Sequence, residues 1–457
     1  MSLVAIAFAC GAIVARVLLR YAPSRTLLDR AQPLVVVTAW GSFGAGCFWT
    51  LAATLALATL ILLAAGFAIA PQVADRDRLG PEIAAAAALA IAASYAWPFV
   101  FSSDVYAYAA YGAMLLHGHD PYAVVAPHVH GAIIDAARWQ WSGRYPVCVY
   151  GPGFVGVAAA AVAATSGATV ATTLWALRIL AAVAFLCSIL AVDAGLQSTT
   201  PRRRFLALAA YGLNPVALWT VAEGHNDAFV LLLGSAAFAL AWRRAAFAGA
   251  LTVGLSATLK ATGALYAIAA LIDALRFAGG GRRVRIVTAC ALGLTCAAVV
   301  TVPSMSRAFE TVGRTGRYVP TASLQSLIGI APAMALAVAA AAWGSARLAR
   351  RDREGYAWLG IALWLAVANV YPWYVLWVLP AIVAAAVPPC AQRRELPWAP
   401  IALWAATISA VVRYLPDASG ALPASANRWA AAAAVVPLLG ALGSVLPPST
   451  KKATPSS

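Results

Sequence analysis

The residues best suited to chemistry in this sequence lie in one polar stretch, 102–123, which reads SSDVYAYAAYGAMLLHGHDPYA. It holds two aspartates, four tyrosines and two histidines, and it directly follows the apolar run PEIAAAAALAIAASYAWPFVF. A carboxylate at the end of an apolar run could serve as a general base that removes a proton from a hydroxyl. The alternative is that Asp104 only complements the dipole of a helix that begins there.

A short helix is predicted to carry this carboxylate. A serine that can cap a helix precedes Asp104, which falls in the first turn, and Gly118 ends the pattern. Asp104, Tyr108 and Tyr111 recur at steps of four and three residues and therefore share one face. The pattern predicts an amphipathic helix lying on the outer membrane surface, with an ionised Asp104 at the boundary between water and lipid.

Composition places the helix in a membrane protein. The chain has 457 residues, of which 63% are hydrophobic and 11% charged, and its mean hydropathy is +0.81. Apolar segments recur from end to end, which excludes an ordinary soluble protein. We expect an all-α fold, a polytopic bundle of about 12–14 membrane segments, some broken or re-entrant. Residues 1–446 form one predicted domain, with 102–150 as its first large outer loop, and 447–457 form a disordered tail.

The charge pattern predicts the orientation. The net charge of +16 comes from 32 Lys and Arg against 16 Asp and Glu, and such an excess is typical of cytoplasmic loops, without implying nucleic-acid binding. We place the basic loops ADRDR, PRRR, WRR, RFAGGGRRVR, ARLARRDRE and AQRRE and the C-terminal tail in the cytoplasm. The outer loops are then 102–150, 224–227, 304–325, 369–374 and 413–426. The arginines at 16, 20, 25 and 30 do not fit this pattern.

One apolar segment is too short for the two crossings that its basic flanks require. The stretch AAFAGALTVGLSATLKATGALYAIAALIDALRF begins and ends at a basic cluster but lacks about ten residues for two full spans. It is predicted to be a broken, re-entrant pair with Lys260 near its tip. Because irregular backbone at that depth must be surrounded by protein or line a water-filled cavity, Lys260 is predicted to mark a cavity.

The order of several motifs points to a family. After Asp104 come HGHDPY, YGP, GLNPVALWTVAEGHND, an LK pair at 259–260 and NVYPWYVLW. This arrangement, from about residue 80 to 380, resembles GT-C membrane glycosyltransferases. It is most similar to bacterial polyprenol-phosphate-mannose-dependent mannosyltransferases that extend α-1,6-mannan chains. The resemblance implies inverting transfer of a sugar, expected to be mannose, from a polyprenyl phosphate to a glycan or glycolipid hydroxyl. The reaction is expected on the outer face of a bacterial inner membrane.

The resemblance also implies roles for individual residues. Asp104 would be the only base needed, because a phosphate leaves without a general acid. Developing charge on that phosphate requires cations, and the candidates are Lys260, Arg178, Arg314 and Arg317. Candidates for contact with sugar or acceptor are Tyr108, Tyr111, Asp120, Tyr122, His225, Asn226, Asp227, Tyr371 and Trp373.

Each role has a structural alternative. Arg178 could pair within the bundle, the two loop arginines could be solvated, Asn226 could cap a helix, and the aromatic residues could form an interfacial belt. The acidic DRD at 75–77 and the paired histidines 117/119 and 128/130 have the wrong context or spacing for a metal. We therefore expect no metal and no cofactor. The competing function is a transporter or flippase of a lipid-linked sugar, which would also contain broken helices and buried charge.

Overall fold

The computed structural model describes most of the chain. The described residues are 2–20, 36–37, 42–73, 78–100, 102–123, 129–138, 147–242, 245–260, 262, 280–315, 320–350, 352–386, 397–414 and 424–445. The architecture is all-α, as predicted. The first eleven helices are α1 (Ser2–Arg20), α2 (Ser42–Ile69), α3 (Leu79–Ser94), α4 (Asp104–Leu116), α5 (Ala132–Arg138), α6 (Pro152–Ala164), α7 (Val170–Leu196), α8 (Pro201–Gly212), α9 (Pro215–Ala222), α10 (Asp227–Trp242) and α11 (Ala246–Leu259).

The second half of the described chain is helical as well. It contains α12 (Gly280–Thr315), α13 (Leu324–Ile328), α14 (Ile330–Ala349), α15 (Gly355–Ala366), α16 (Val375–Ala386), α17 (Trp398–Ser409) and α18 (Ala424–Val435). Short 3-10 helices span Ala70–Gln72, Pro372–Tyr374, Ala410–Tyr414 and Val436–Ser444. Two short strands, β1 (Val36–Val37) and β2 (Phe99–Val100), pair in parallel.

Four described helices are long and apolar enough to cross a membrane. They are Leu3–Arg20, Ala45–Gln72, Val170–Leu196 and Ile330–Ala349, and the bent pair α8 and α9 makes a fifth. Six shorter apolar helices accompany them, among them α3, α6 and the segment Asp227–Leu240 of α10. The chain is therefore a multi-pass membrane protein. The count of about 12–14 segments stays a prediction, since it depends on these shorter helices and on residues outside the described ranges.

The bend between α8 and α9 has a local cause. Asn214 caps α9 by accepting from the Ala217 N–H at 3.1 Å, and Pro215 occupies the first helical position. Both features begin a new helix instead of continuing the old one. The two axes differ by 42°. The chain then turns at the polar segment 223–226 and returns as α10, so the predicted turn at GHND lies between two helices.

Helix α4 has the predicted limits but not the predicted surroundings. It begins at Asp104 and ends before Gly118, whose φ is +76°. Every residue from Val105 to Met114 is buried, so the helix is enclosed by protein and does not lie amphipathically on a surface. Gly112 makes this possible, because a Cβ there would lie 2.5 Å from the carbonyl carbon of Ala158 in α6. Small residues at such crossings let helices approach closely.

The helix after the YGP motif, α6, is short, with 13 residues, and precedes the long α7. The segment 304–325 was predicted to be a loop. Helix α12 instead continues to Thr315, so most of that segment is helical despite Pro303. The tail 447–457 lies outside the described residues.

Candidate functional site

Two phenol groups hold the carboxylate of Asp104. Tyr108, one turn further along α4, and Tyr150, just before α6, donate hydrogen bonds to Oδ2 of Asp104 at 3.4 and 3.3 Å. Their rings pack edge to face with centroids 5.0 Å apart. The Asp104 side chain is 27% exposed, and no other hydrogen bond reaches it from the described residues. One carboxylate oxygen, Oδ2, is therefore held by both phenol groups.

The end of α11 brings Lys260 next to Tyr150. Helix α11 stops at Leu259, and Lys260 is extended, as expected for a broken span; the return half, 263–279, lies outside the described residues. The Gly151 N–H donates to the Leu259 carbonyl at 2.9 Å, and a Cβ on Gly151 would collide with the Thr258 carbonyl oxygen. This contact explains the glycine of the YGP motif. It places the Lys260 ammonium 5.6 Å from the centre of the Tyr150 ring.

Lys260, which was predicted to mark a cavity, is paired with a carboxylate. Its Nζ donates to Oδ1 of Asp227 at 2.7 Å, and the indole N–H of Trp377 donates to the same oxygen. The ammonium also lies 4.7 Å from the Trp377 ring centre and 5.8 Å from that of Tyr374. The Lys260 side chain is 16% exposed and that of Asp227 only 1%. An ammonium between a carboxylate and aromatic faces is stabilised by both.

The turn between α9 and α10 places further polar groups beside Asp104. Gly224 has a φ of +87°, which favours glycine, and a Cβ there would lie 3.0 Å from Cγ of Arg178. The turn brings His225 Nδ1 to 3.8 Å from Asp104 Oδ2, and His225 Nε2 to 3.5 Å from Glu223 Oε2. Glu223 Oε1 accepts from the Val100 N–H at 3.0 Å. A buried histidine therefore lies between two carboxyl groups.

Several buried polar atoms of this turn have no hydrogen-bond partner among the described residues. They are Glu223 Oε2, His225 Nδ1, Asn226 Nδ2 and Asp227 Oδ2. Asn226 turns its carbonyl oxygen to the Tyr108 hydroxyl at 3.3 Å, whose single proton is shared between this oxygen and Asp104 Oδ2, and the Asn226 side chain does not cap α10. Buried polar groups without partners are costly. Four such atoms lie within five consecutive residues, and the side chains of His225, Asn226 and Asp227 are almost completely buried.

Burial sets the protonation states of this site. Burial raises the pKa of Asp104 to about 6, although the positive charge of Lys260 opposes this change. Burial, assisted by Lys260, lowers the pKa of His225 to about 3. At pH 7 the carboxyl group is therefore mainly ionised and the imidazole neutral. Asp104 was expected to be kept ionised by the dipole and backbone donors of α4, but the groups that contact its carboxylate are two tyrosines.

Tyr371 and Trp373, two candidates for contact with sugar, stack on each other, and Trp373 also stacks on His225. The Trp373 ring lies 4.3 Å from His225 and 4.4 Å from Tyr371, nearly parallel to both. The guanidinium of Arg413 lies 4.9 Å from the Tyr371 ring centre. His225, Trp373, Tyr371 and Arg413 thus form one stacked column, in which both faces of the Trp373 ring are covered. It holds the plane of the His225 ring, a contribution of about 0.5–1.5 kcal/mol per aromatic pair. Tyr111 and Tyr108 are 2% and 1% exposed, so their ring faces are also covered by protein.

Arg178 is enclosed in the bundle. Its Nε donates to the Ala222 carbonyl at 2.7 Å, and its Cζ lies 4.3–4.8 Å from the ring centres of Trp175, Tyr95 and Phe99. The contact with a carbonyl at the end of α9 suits a cation, because that end of a helix is negative. The geometry favours a structural role that supports the turn at Gly224.

The other residues predicted to belong to the site lie near Asp104 and Tyr150 or outside the described residues. Asp120 is exposed, and its Oδ1 accepts from the Tyr122 N–H at 2.9 Å, while the Tyr122 hydroxyl donates to the Tyr150 carbonyl. This loop therefore supports Tyr150. Arg314 belongs to α12 but its side chain is not described, and Arg317, the DRD segment and His128 lie outside the described residues. Within those residues, no three side chains of His, Cys, Asp or Glu could hold a metal ion; the expected absence of a metal stays a prediction.

Four residues of the site received no predicted role. Tyr150, Glu223, Tyr374 and Trp377 all lie within the motifs YGP, AEGHND and NVYPWYVLW. The motifs therefore indicated the correct segments. The individual contacts, such as that of Trp377 with Asp227 across 150 residues of sequence, depend on how the helices pack.

Glu223 gives a prediction about the tautomer of His225. Burial raises the pKa of Glu223 well above its ordinary range, so a neutral carboxyl group 3.5 Å from Nε2, together with the Ser102 hydroxyl at 3.3 Å, can donate to Nε2 and leave the Nδ1 proton facing Asp104. Glu223→Gln preserves a donor at that place and should retain kcat. Glu223→Ala removes it and should lower kcat about tenfold or more, because Asp104 loses its orientation. If the glutamine variant is as impaired as the alanine variant, Glu223 acts as an anion and the tautomer assignment is wrong.

Comparisons with known proteins identify the family of this chain. Residues 4–276 match the model of the family described as "Alpha-(1->6)-mannopyranosyltransferase, N-terminal domain". The chain is 27% identical over 377 residues to Alpha-(1->6)-mannopyranosyltransferase A of Mycobacterium tuberculosis (strain ATCC 25618 / H37Rv), covering 73% of this chain and 69% of that protein. No solved structure matches. The matched family is one of enzymes and not of transporters or flippases, so the chain is a glycosyltransferase that transfers mannose and belongs to the alpha-(1->6)-mannopyranosyltransferase family.

Proposed function

We propose that the enzyme transfers mannose from a polyprenyl-phosphate donor to a glycan or glycolipid hydroxyl, with inversion and with Asp104 as the general base. The main support is the position of Tyr150. Its hydroxyl holds Asp104, and its ring faces the Lys260 ammonium. A proton acceptor and a cation are thus adjacent, which is the minimum that transfer from a sugar phosphate needs.

The proposed step is a single displacement. Asp104 accepts the proton of the acceptor hydroxyl as its oxygen forms a bond to the anomeric carbon of mannose. The bond from that carbon to the phosphate oxygen breaks on the opposite face, which inverts the configuration. The electron pair leaves with the lipid phosphate. No second carboxylate is required to protonate the phosphate, unlike the usual hydrolysis of glycosides.

Lys260 is the proposed contact for the phosphate. An ammonium has three N–H donors, and Asp227 occupies one of them. Partial exposure of the side chain leaves it accessible, and its pairing with Asp227 holds it in place before the donor arrives. Arg314 and Arg317 remain further candidates for the phosphate.

The turn 223–227 is the proposed contact for sugar hydroxyls; its side chains are at most 5% exposed, so the turn must open when the sugar binds. Asn226 Nδ2 supplies donors and Asp227 Oδ2 an acceptor, and neither has a partner among the described residues. A mannose hydroxyl can donate and accept at once, so it satisfies both kinds of atom. Tyr371 and Trp373 would act by supporting His225 and not by stacking on the sugar.

The direct test is transfer of labelled sugar by the purified protein in detergent. Polyprenyl-phosphate mannose is compared with the corresponding glucosyl and arabinosyl lipids and with a nucleotide-linked mannose, with a mannose oligosaccharide as acceptor. We expect transfer from the polyprenyl-phosphate mannose, with inverted configuration at the anomeric carbon. Transfer from the nucleotide sugar alone, or retained configuration, would refute the proposed donor or the single displacement.

The pH dependence follows from the raised pKa of Asp104. A base must be ionised to act, so kcat/KM should fall about tenfold for each pH unit below about 6. Lys260→Met removes the nearby positive charge that lowers this pKa, and should therefore move the acid limb to higher pH. If kcat/KM instead falls with a midpoint near pH 4, the carboxylate of the free enzyme has an unperturbed pKa.

The proposed outer location of the site can be tested by labelling. With the native cysteines replaced by serine, a single cysteine at the exposed His119, just after α4, should react with a membrane-impermeant maleimide in intact cells. A cysteine at Ser457 should react only after the cells are opened, since the basic loops are assigned to the cytoplasm. The reverse pattern would place Asp104 on the cytoplasmic side.

A further inference from the structure

A groove runs between α1 and α3, away from the proposed catalytic residues. Its volume is about 400 Å³, and its lining is mainly apolar: Ala9, Ala12, Ile13, Arg16, Val17, Arg20, Ala93 and Ala96. Alanines at four of these positions keep it open. Ile13 and Val17 are 64% and 46% exposed, so the groove opens toward the side of α1 where lipid chains lie in a membrane-spanning helix.

Two arginines stand at one end of this groove. Arg16 and Arg20 are four residues apart on α1, so they share a face, and both are exposed. Arg16 Nε donates to the Ala96 carbonyl at 2.7 Å, which holds the guanidinium over the groove. No carboxylate of the described residues pairs with either arginine. The end of the groove is therefore positively charged and its length is apolar.

The position of these arginines conflicts with the pattern of the other basic residues. Ala96 follows the end of α3 that leads to Asp104, eight residues further along the chain. Arg16 and Arg20 thus lie at the same end of α3 as the proposed active site, opposite to the basic segment that precedes α3. The preference of cytoplasmic loops for arginine therefore does not explain Arg16 and Arg20. An anion bound at this end of α3 would explain both.

The length of the groove suits one leaflet of a bilayer. From Ala9 to Arg20 the helix rises roughly 17 Å at 1.5 Å per residue. The hydrocarbon core of a bilayer is about 30 Å thick, so the groove spans about half of it. An acyl chain of one leaflet fits this length, with its headgroup at the arginines.

We propose that the groove between α1 and α3 binds one anionic glycerophospholipid, with its phosphate between Arg16 and Arg20 and an acyl chain along Ala9–Val17. Each arginine near an anionic headgroup adds to binding by charge attraction. A polyprenyl phosphate carries the same kind of anionic headgroup. The groove is as long as one leaflet, which matches an acyl chain and therefore favours the glycerophospholipid. The site is separate from the proposed sugar transfer and does not depend on it.

The experiment compares retained lipids by native mass spectrometry of the purified protein in detergent. Phosphatidylglycerol and phosphatidylcholine with identical acyl chains are titrated in parallel, and a polyprenyl phosphate and inorganic phosphate serve as competitors. The variants are Arg16→Gln/Arg20→Gln and, as a matched control, Arg202→Gln/Arg285→Gln, which removes two exposed arginines elsewhere. Ala93→Leu narrows the groove while leaving both arginines. Thermal unfolding of each variant confirms that it is folded.

We expect one phosphatidylglycerol to bind the wild-type protein about tenfold or more tightly than phosphatidylcholine. Arg16→Gln/Arg20→Gln should abolish that preference, the control should keep it, and Ala93→Leu should weaken both lipids. Equal binding of the two lipids, or equal loss in the control, would overturn the site. Stronger competition by polyprenyl phosphate would assign the groove to a prenyl lipid. Competition by inorganic phosphate alone, with no effect of Ala93→Leu, would exclude an acyl chain.

Discussion

Asp104→Asn is expected to lower turnover roughly 10²–10⁴-fold, the usual loss when a general base is removed. The amide keeps the size of the side chain and an oxygen that can accept from Tyr108 or Tyr150, so folding and donor binding should change little. The negative charge that accepts the proton is lost. Turnover is measured under saturating donor and acceptor, and donor affinity is measured separately by binding of a non-transferable analogue.

Asp120→Asn is the matched control for this substitution. Asp120 lies in the same outer segment, but it is exposed and its Oδ1 accepts a backbone N–H from Tyr122, which an asparagine oxygen can also accept. We expect this variant to retain turnover within about twofold, because surface substitutions that preserve their contacts have small effects. An active Asp104→Asn enzyme beside an inactive Asp120→Asn enzyme would move the base to Asp120.

Breaking the pair of Lys260 and Asp227 should have the largest effect on stability. Lys260→Met leaves the 1% exposed Asp227 carboxylate without its cation, and removing one partner of a buried pair typically costs about 3–5 kcal/mol. Lys260→Met/Asp227→Asn removes both charges while keeping an acceptor for the Trp377 indole. The double variant should therefore recover most of the lost stability. Thermal unfolding in detergent measures the single and double variants in one cycle.

The same cycle separates the structural role of Lys260 from its proposed role in donor binding. A charge-assisted hydrogen bond to the donor phosphate is worth about 1.5–3 kcal/mol, which corresponds to a rise in donor KM of roughly 10–150-fold. The double variant should regain stability and still show the high donor KM, with acceptor KM nearly unchanged, whereas Asp227→Asn alone, which removes only the proposed sugar contact, should raise donor KM less. If stability and donor KM recover together, Lys260 is a structural partner of Asp227 and does not contact the phosphate.

The membrane class and the boundaries of several elements could be predicted from the sequence alone. Hydropathy along the chain indicated an all-α membrane bundle, because a backbone in lipid must satisfy its own hydrogen bonds. The start of α4 at Asp104, the turn at Gly224 and the end of α11 at Lys260 were also predicted correctly. These features depend on nearby residues, since caps, glycines and breaks act within one or two turns of the chain.

What only the tertiary structure decided was which side chains meet. The alanines and tyrosines of α4 are compatible with a surface helix or with a buried one, and packing against α6 determines the latter. The partner of Lys260, Asp227, lies 33 residues away in sequence, and the contact between Tyr150 and Asp104 spans 46 residues. Such pairs form where helices cross, and crossings depend on side-chain shape along both helices. The burial of Asp104 also depends on helix packing. Its raised pKa therefore could not be predicted from the local sequence.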